Sequence, residues 1–557
     1  MISHARIAPT FLSLLSLSSI VTLPAHAAWQ TNGNAVCTAT AAQTLPSVVS
    51  DGGGGAIIVW RDVRSGGGLG DVYAQHLTTD GNVSPGWPAN GIALESLATT
   101  VLTPVAVSDG AGGAIAVWRD GRGGLYAQRI NGAGTTQWTA NGVRLAFASV
   151  TNFEVIADGA GGAIAAWEDA RAGGANKDIY ARRISATGDT LWTGNGKAVC
   201  TSTGNQVFPT LTTDGAGGAI IAWVDERNGA NAFRLFAQRI TGAGAESWTA
   251  NGIQEGGSGN VFNDEDLGAA PDGSGGAFLV WTEFRTGQYR IFLQHVNSAG
   301  AVVAGWNGAG REVPTGVVDA EPKVIPDGSG SCIVATSIFG IEAVQLDKVA
   351  SNGAQLWTQT VSMVNGTDGP QVVSDGGGGA FTAFLYGNNT EVHASQVAAG
   401  GSIPAPWPPG GLSICSTTGT RFEVAMAGTS DADAIVAWTD TRNQATTNSD
   451  IYATKLVGGS FVGVDPLQES ALALERPFPN PSRGPLSVRF VLPGSAPATI
   501  EIVDVRGRRI LQRDVSGFGA GRHTMVLDEG SRLGVGIHFL KLHYGRMERT
   551  TRFAIVR

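Results

Sequence analysis

Apolar runs of strand length alternate with glycine-rich breaks along most of the chain, and the alternation recurs at a near-constant interval. "VVSDGGGGAIIVWRDVRSGG" begins at Val48, "VAVSDGAGGAIAVWRDGRGG" at Val105, "VIADGAGGAIAAWEDARAGG" at Val155, "LTTDGAGGAIIAWVDERNGA" at Leu211 and "AAPDGSGGAFLVWTEFRTGQ" at Ala269. Weaker copies start near Val324, Val372 and Val424, so eight copies follow one another about every 48 to 58 residues. In each, a short apolar run ends at Asp-Gly-x-Gly-Gly, whose glycines suit a hairpin turn. A second strand follows, such as Ala56-Ile57-Ile58-Val59-Trp60, apolar on both faces as a sheet stacked between two others requires. Then come a loop, a third strand ("VYAQHL", "LYAQRI", "IYARRI", "LFAQRI"), a Gly-x-x-x-Trp turn and a fourth strand after Asn-Gly. Four antiparallel strands at this period predict a β-propeller.

The eighth copy runs through its third strand, "DIYATKLVGG" from Asp450, and has no Trp-x-x-Asn-Gly strand after it. The missing phrase stands at the other end of the chain, as "WQTNGNAV" from Trp29 to Val36. The expectation is an all-β chain whose eight-bladed propeller spans residues 28–459, the N-terminal strand supplying the outer strand of the last blade. An unfilled place there would leave an open strand edge. The Trp count agrees: Trp87, Trp138, Trp192, Trp248, Trp306, Trp357 and Trp407 each precede a fourth strand, and Trp29 is the eighth.

Composition narrows the setting. Only 15% of residues are charged and the net charge is -9, which argues against a nucleic-acid partner. His4 and Arg6 precede an apolar run from Phe11 to Leu23 and the small-x-small stretch Ala25-His26-Ala27, the pattern of a signal peptide over residues 1–27. That run is too short for a transmembrane segment, and no later one is apolar enough. The four cysteines (Cys37, Cys200, Cys332, Cys415) form neither a CxxC pair nor a metal spacing and read as small buried hydrophobes.

Two recurring features bear on chemistry. Trp60, Trp118, Trp167, Trp223, Trp281 and Trp438 end the second strand and read as core between blades. Six copies continue as Trp-x-Asp/Glu-x-Arg: Asp62 and Arg64, Asp120 and Arg122, Asp169 and Arg171, Asp225 and Arg227, Glu283 and Arg285, Asp440 and Arg442. Such pairs could hold a polar ligand, but their repetition favours a structural role, each pair tying one blade loop to its neighbour. Asymmetry is the better mark of a site. In the sixth and seventh copies the acidic position becomes Ile338 and Tyr386, and the Arg position Gly340 and Asn388. Phe284, Phe339 and Tyr386 bring aromatics to that face, and Asp264-Glu265-Asp266 precede the fifth copy. These six are the candidate ligand-binding residues, set against the plainer reading of decayed blades and a solvated acidic loop. No motif calls for a cofactor; the acidic loop offers oxygen ligands of the kind calcium takes. His76 and His295 stand where other copies have Arg129 and Arg239, on what reads as exposed strand face.

The Gly-x-x-x-Trp turns, as in Gly134 to Trp138 and Gly188 to Trp192, resemble the Asp-box of sialidase-like propellers, a structural turn remote from that family's active site. Most copies here lack the Asp two residues before the Gly, so the resemblance reaches the architecture only. No Gly-x-Ser-x-Gly, His-Glu-x-x-His, P-loop or Rossmann motif occurs, and no catalytic residue is assigned.

After about Val462 the pattern changes. A linker-like stretch (460–475) leads to short alternating strands that predict a small immunoglobulin-like sandwich over 476–557. "FPNPSRGPLSVRF", "IEIVDVRGRRI" and "LGVGIHFLKL", with the finish "RFAIVR", resemble the C-terminal sorting domain (type A) of type IX secretion substrates. They are also similar to the immunoglobulin-like domain of flagellar hook-capping proteins. His538 and Arg552 depart mildly from the sorting family, which more often has Tyr and Lys there. The resemblance implies export, a secretion translocon as partner, and a secreted or cell-surface destination. The function expected is a non-catalytic module for an extracellular glycan or protein. A sialidase-like hydrolase or lyase and a purely structural surface protein are the alternatives.

Overall fold

The Asp-Gly-x-Gly-Gly segments build their turns from their own atoms. Asp51 Oδ1 accepts hydrogen bonds from the backbone N–H of Gly53 (2.7 Å) and Gly55 (2.9 Å), and Asp109 and Asp214 cap their turns alike. A Cβ on Gly55 would lie 2.3 Å from the Leu77 carbonyl oxygen, so only glycine fits where the turn crosses the third strand.

The structure, a computed structural model, describes residues 29–556. Outside the description lie 67–69, 98, 148–149, 175, 193, 230–231, 258, 262–266, 315–321, 339–342, 364–369, 459, 463–471, 475–476, 478–481, 483–485, 493–495, 517–520, 528–532 and 546. The signal-peptide reading of residues 1–27 falls outside as well. Among the described residues there is no α-helix.

Eight antiparallel sheets follow the repeat. In the first, Gln43–Ser50, Ala56–Asp62, Asp71–Leu77 and Ile92–Glu95 pair in chain order, Ala56 standing opposite Leu77 and Asp62 opposite Asp71. Sheets two to seven repeat this order over 102–147, 150–200, 206–255, 260–312, 323–363 and 371–415. The eighth contains Arg421–Gly428, Ala434–Asp440 and Asp450–Val457, and against the last of these pairs Asn34–Cys37, with Asn34 opposite Ala453 and Cys37 opposite Ile451. First strands touch one another in sequence order, and that of the eighth sheet touches that of the first. This is a β-propeller, with the first strands around its central channel.

The cores lie between sheets. One joins Ile57, Val59, Val72 and Trp87 of the first sheet to Ala114, Ala116 and Trp118 of the second. Another joins Trp29, Val36 and Cys37 to Val48, Ile58 and Trp60 of the first sheet and Ile435 and Ala437 of the eighth. The six second-strand tryptophans are fully buried, each worth about 3–5 kcal/mol on truncation. All four cysteines are buried and free.

Near the C-terminus, Ala473–Leu474, Leu486–Leu492 and Gly521–Leu527 form one sheet, while Ala498–Asp504, Arg509–Asp514, Gly536–Tyr544 and Met547–Ile555 form another. Val488, Phe490, Ile500, Ile502, Leu540 and Phe553 share one core between them, which makes a β-sandwich. His538, the departure from the sorting family, stacks on Phe553 with ring centroids 5.6 Å apart.

Candidate functional site

The acid–arginine pairs are occupied internally. Asp62 Oδ2 accepts from the Trp60 indole (2.8 Å) and from Arg64 Nη2 (2.6 Å), Oδ1 accepts from Arg64 Nε (2.9 Å), and the guanidinium lies over the Tyr73 ring at 4.0 Å. Arg64 Nη2 also donates to the Asn90 carbonyl at the Asn-Gly turn before the fourth strand. The bond from Nη2 to the carboxylate recurs at Asp120–Arg122, Asp169–Arg171, Asp225–Arg227, Glu283–Arg285 and Asp440–Arg442, though Arg442 Nε is left without a partner among the described residues. There the accepting carbonyls belong to Asn141, Asn195, Asn251, Ala309 and Asn32. Each pair thus ties its loop to its own sheet, and three of the arginines also reach the preceding sheet through a cysteine. Asparagine and cysteine side chains around the fourth strands join the sheets. The Asn90 side chain accepts from Thr38 N of the preceding sheet, and Asn32 accepts likewise from Ser416 N. Cys37, Cys200 and Cys415 lie 3.0, 3.0 and 3.3 Å from Nη2 of Arg64, Arg227 and Arg442 in the following sheet.

The opposite rim is stapled too, and one expectation there is corrected. His76 and His295 are buried, not on an exposed face. Their Nε2 atoms lie 2.9 and 3.1 Å from Asp51 and Asp272 of the turns, and their Nδ1 atoms reach the Gly132 and Ser351 carbonyls one sheet on. Arg129, Arg183 and Arg239 make equivalent bridges.

Of the candidate ligand-binding residues, Asp264, Glu265, Asp266 and Phe339 lie outside the described residues. Phe284 and Tyr289 stand opposite each other at the end of a hairpin (Ala277–Arg285, Gln288–Val296); both rings are exposed, with centroids 5.0 Å apart. Tyr386 is half-buried and stacks flat on His393 (3.9 Å, 10° between planes), whose Nε2 lies 2.9 Å from Glu391. This stack occupies the place that arginine-on-ring packing takes elsewhere. Phe284 and Tyr386 belong to different sheets, the fifth and the seventh. Among the described residues, no group of three or more His, Cys, Asp or Glu is placed to hold a metal ion.

A cavity of about 290 Å³ opens where the first strands of sheets two to six begin. Arg119, Asn152, Glu154 and Lys323 supply its charged and amide groups, and Leu102, Phe153 and Phe208 its apolar surface. The strands are irregular at this level. Pairing slips by a residue between Thr44 and Ser47, Leu102 and Val105, Val150 and Phe153, Val207 and Thr210, and Phe422 and Ala425. Leu45, Phe208 and Glu423 have left-handed φ of 56°, 52° and 55°.

Carboxylates hold two of these bends. Glu168, its side chain fully buried, accepts from Phe208 N (2.8 Å), Asn152 Nδ2 (2.6 Å), Thr151 Oγ1 (2.5 Å) and Lys177 Nζ (2.8 Å). Burial alone would raise its pKa, but these donors outweigh it and hold the carboxyl below its usual value. On the far side Glu423 accepts from Leu45 N (2.6 Å) and Thr439 Oγ1 (2.7 Å). None of these residues was a sequence candidate. Their signal was the variable residue between Trp and Asp/Glu (Arg61, Arg119, Glu168, Val224, Thr282, Thr439), which changes while its neighbours repeat.

Several solved structures are similar to the chain. Puromycin hydrolase, crystallised as a mutant complexed with PGG, is 15% identical with a TM-score of 0.38; the match covers 74% of this chain and 61% of the hydrolase. A protein of unknown function from Dyadobacter fermentans DSM 18053 is 10% identical with a TM-score of 0.35, covering 76% of this chain and 99% of that one. SapL1 lectin in complex with alpha methyl fucoside is 13% identical with a TM-score of 0.31, covering 58% and 97%. These likenesses are too distant to transfer an activity. No curated protein matches the chain. Residues 477–557 match the family described as the secretion system C-terminal sorting domain. That tail marks the protein for handling by the type IX secretion system and for export to the cell surface or beyond, and no helix among the described residues is long and apolar enough to cross a membrane. The C-terminal segment of this chain is a type IX secretion sorting domain.

Proposed function

We propose that this is a secreted or surface-displayed propeller that binds an extracellular carbohydrate or protein without transforming it. In this reading residues 1–27 are a signal peptide, 28–459 an eight-bladed propeller and 476–557 an immunoglobulin-like sorting domain, and the linker between them is shorter than 460–475, because Ser460–Val462 pairs with Asp450–Val457 and Ala473–Leu474 with Leu486–Leu492. The pairing of Asn34–Cys37 with Asp450–Val457, and the bonds from Arg442 to the Asn32 carbonyl and from Lys455 to the Gly54 carbonyl, support closure of the ring by the N-terminal strand.

The observation that carries the binding reading is the exposed Phe284–Tyr289 pair on its hairpin, two apolar ring surfaces inclined at 58°. Phe284, Tyr386, Phe339 and the acidic run Asp264-Glu265-Asp266 are the residues we assign to a ligand on this face. The six repeated acid–arginine pairs are structural, because each carboxylate is bonded to its own arginine, which also donates to a backbone carbonyl. That same saturation favours a structural coat protein as the second reading.

A glycan array probed with the purified protein, with and without calcium, tests the proposal. Specific binding that falls on Phe284→Ala is the expected result. Retention of no glycan and no surface protein leaves the coat reading.

A further inference from the structure

The cavity at the channel mouth is built unlike the rest of the molecule. Here two cations from different sheets face a space of about 290 Å³. Arg119 uses Nη1 on the carbonyls of Val150 (2.7 Å) and Thr151 (2.8 Å), which fixes the guanidinium at the wall; its Nε and Nη2 have no partner among the described residues. Lys323 makes no ion pair among the described residues. Across the space Glu154 lies 3.3 Å from the Thr210 hydroxyl, so the wall carries two positive charges and one negative. The Phe153 and Phe208 rings are part-exposed beside them, and Asn152, anchored through Nδ2 to Glu168, keeps its carbonyl oxygen as a fixed acceptor. Glu168 also holds Phe208 in its left-handed bend, so the wall is rigid before any ligand arrives.

We propose that this mouth is a second binding site, and that its ligand is one uronic-acid residue of an anionic polysaccharide. The carboxylate pairs with the spare donors of Arg119 and with Lys323. Ring hydroxyls meet Asn152 and Glu154, and the apolar ring face lies against Phe153 and Phe208. A cavity at the low end of the roughly 300–1,000 Å³ range for ligand pockets suits a single sugar rather than a peptide. Glu168 is a positioning residue here and touches no ligand. The inference rests on the reading of the propeller as a binding module but names different residues.

The test measures binding of the purified protein to polygalacturonate, to its methyl ester and to dextran sulfate by affinity electrophoresis. Polygalacturonate is expected to bind, and the methyl ester, with the same rings and no charge, about tenfold more weakly. Lys323→Gln, which disturbs no bond of the fold, and Arg119→Gln are each expected to weaken binding by about tenfold. Phe284→Ala is expected to leave it unchanged. Equal binding of acid and ester, equal binding of dextran sulfate, or no effect of Lys323→Gln overturns the uronate site. So does failure of polygalacturonate to bind. Failure of polygalacturonate to bind while a neutral glycan is retained through Phe284 overturns this inference and leaves the binding-module reading intact; retention of no ligand at all ends both.

Discussion

At the edge where each fourth strand meets the next blade, Cys37, Cys200 and Cys415 alternate with two carboxylic acids, Glu95 and Glu255. Burial pushes the Glu95 carboxyl up to about 7 and the Glu255 carboxyl up to about 8, and each leaves one oxygen without a partner. An unfolded glutamate ionises near 4.5, so between that pH and about 8 the folded chain holds a proton at Glu255 that the unfolded chain has released. Stability therefore falls as pH rises through this window and is undiminished below it. Glu255→Gln is expected to match the parent near pH 4.5 and to exceed it by roughly 1–4 kcal/mol at pH 8.5. Thermal melts at the two pH values check this, and a gain of equal size at both would refute it. These positions show how far single residues can be read. Glu255 occupies a repeat position and was legible as equivalent to a cysteine, but its isolation from any cation was not. His76 was misplaced for the same reason: its carboxylate partner sits 25 residues away, across a turn.

Elements were legible where the repeat is strict. Asn-Gly before the fourth strands of the stricter copies predicts a tight approach, and a Cβ on Gly91 would lie 2.5 Å from the Trp60 ring. The same glycine precedes the N-terminal strand, where a Cβ on Gly33 would lie 2.5 Å from the Trp438 ring. If that strand completes the last blade, Trp29 is equivalent to Trp87: their indoles donate to the Thr79 and Gly132 carbonyls of the adjoining turns, each at 2.9 Å. Trp29→Ala and Trp87→Ala are then expected to cost similar stability, about 3–5 kcal/mol each, in denaturant unfolding. A Trp29→Ala loss below a third of the Trp87→Ala loss would count against closure. The first strands were the less legible elements. Their bulges at Thr44, Leu102, Val150, Val207 and Phe422 follow no turn motif, and two of the bends, at Leu45 and Phe208, are held by a carboxylate from the preceding sheet.

For the whole molecule, the propeller has its cores between sheets and the C-terminal sandwich has its own. Removing residues 477–557 is expected to leave the propeller's melting temperature within about 2 °C of the parent, as separate cores predict. The truncated protein is expected to stay inside the cell when produced in its native host. Calorimetry and cell fractionation measure the two effects, and an undiminished yield outside the cell would show that the tail is not required for export.

The sequence by itself determined the repeat, the order of strands and the identity of the tail. Turn chemistry and strand periodicity are local, and eight copies repeat the same evidence. Only the tertiary structure decided which polar groups are spent and which remain available. The conspicuous acid–arginine pairs lie beside their partners in sequence and close on themselves, whereas the channel mouth draws Arg119, Glu168, Phe208 and Lys323 from different sheets. No local pattern marks residues that become neighbours only when the sheets are set around a common channel.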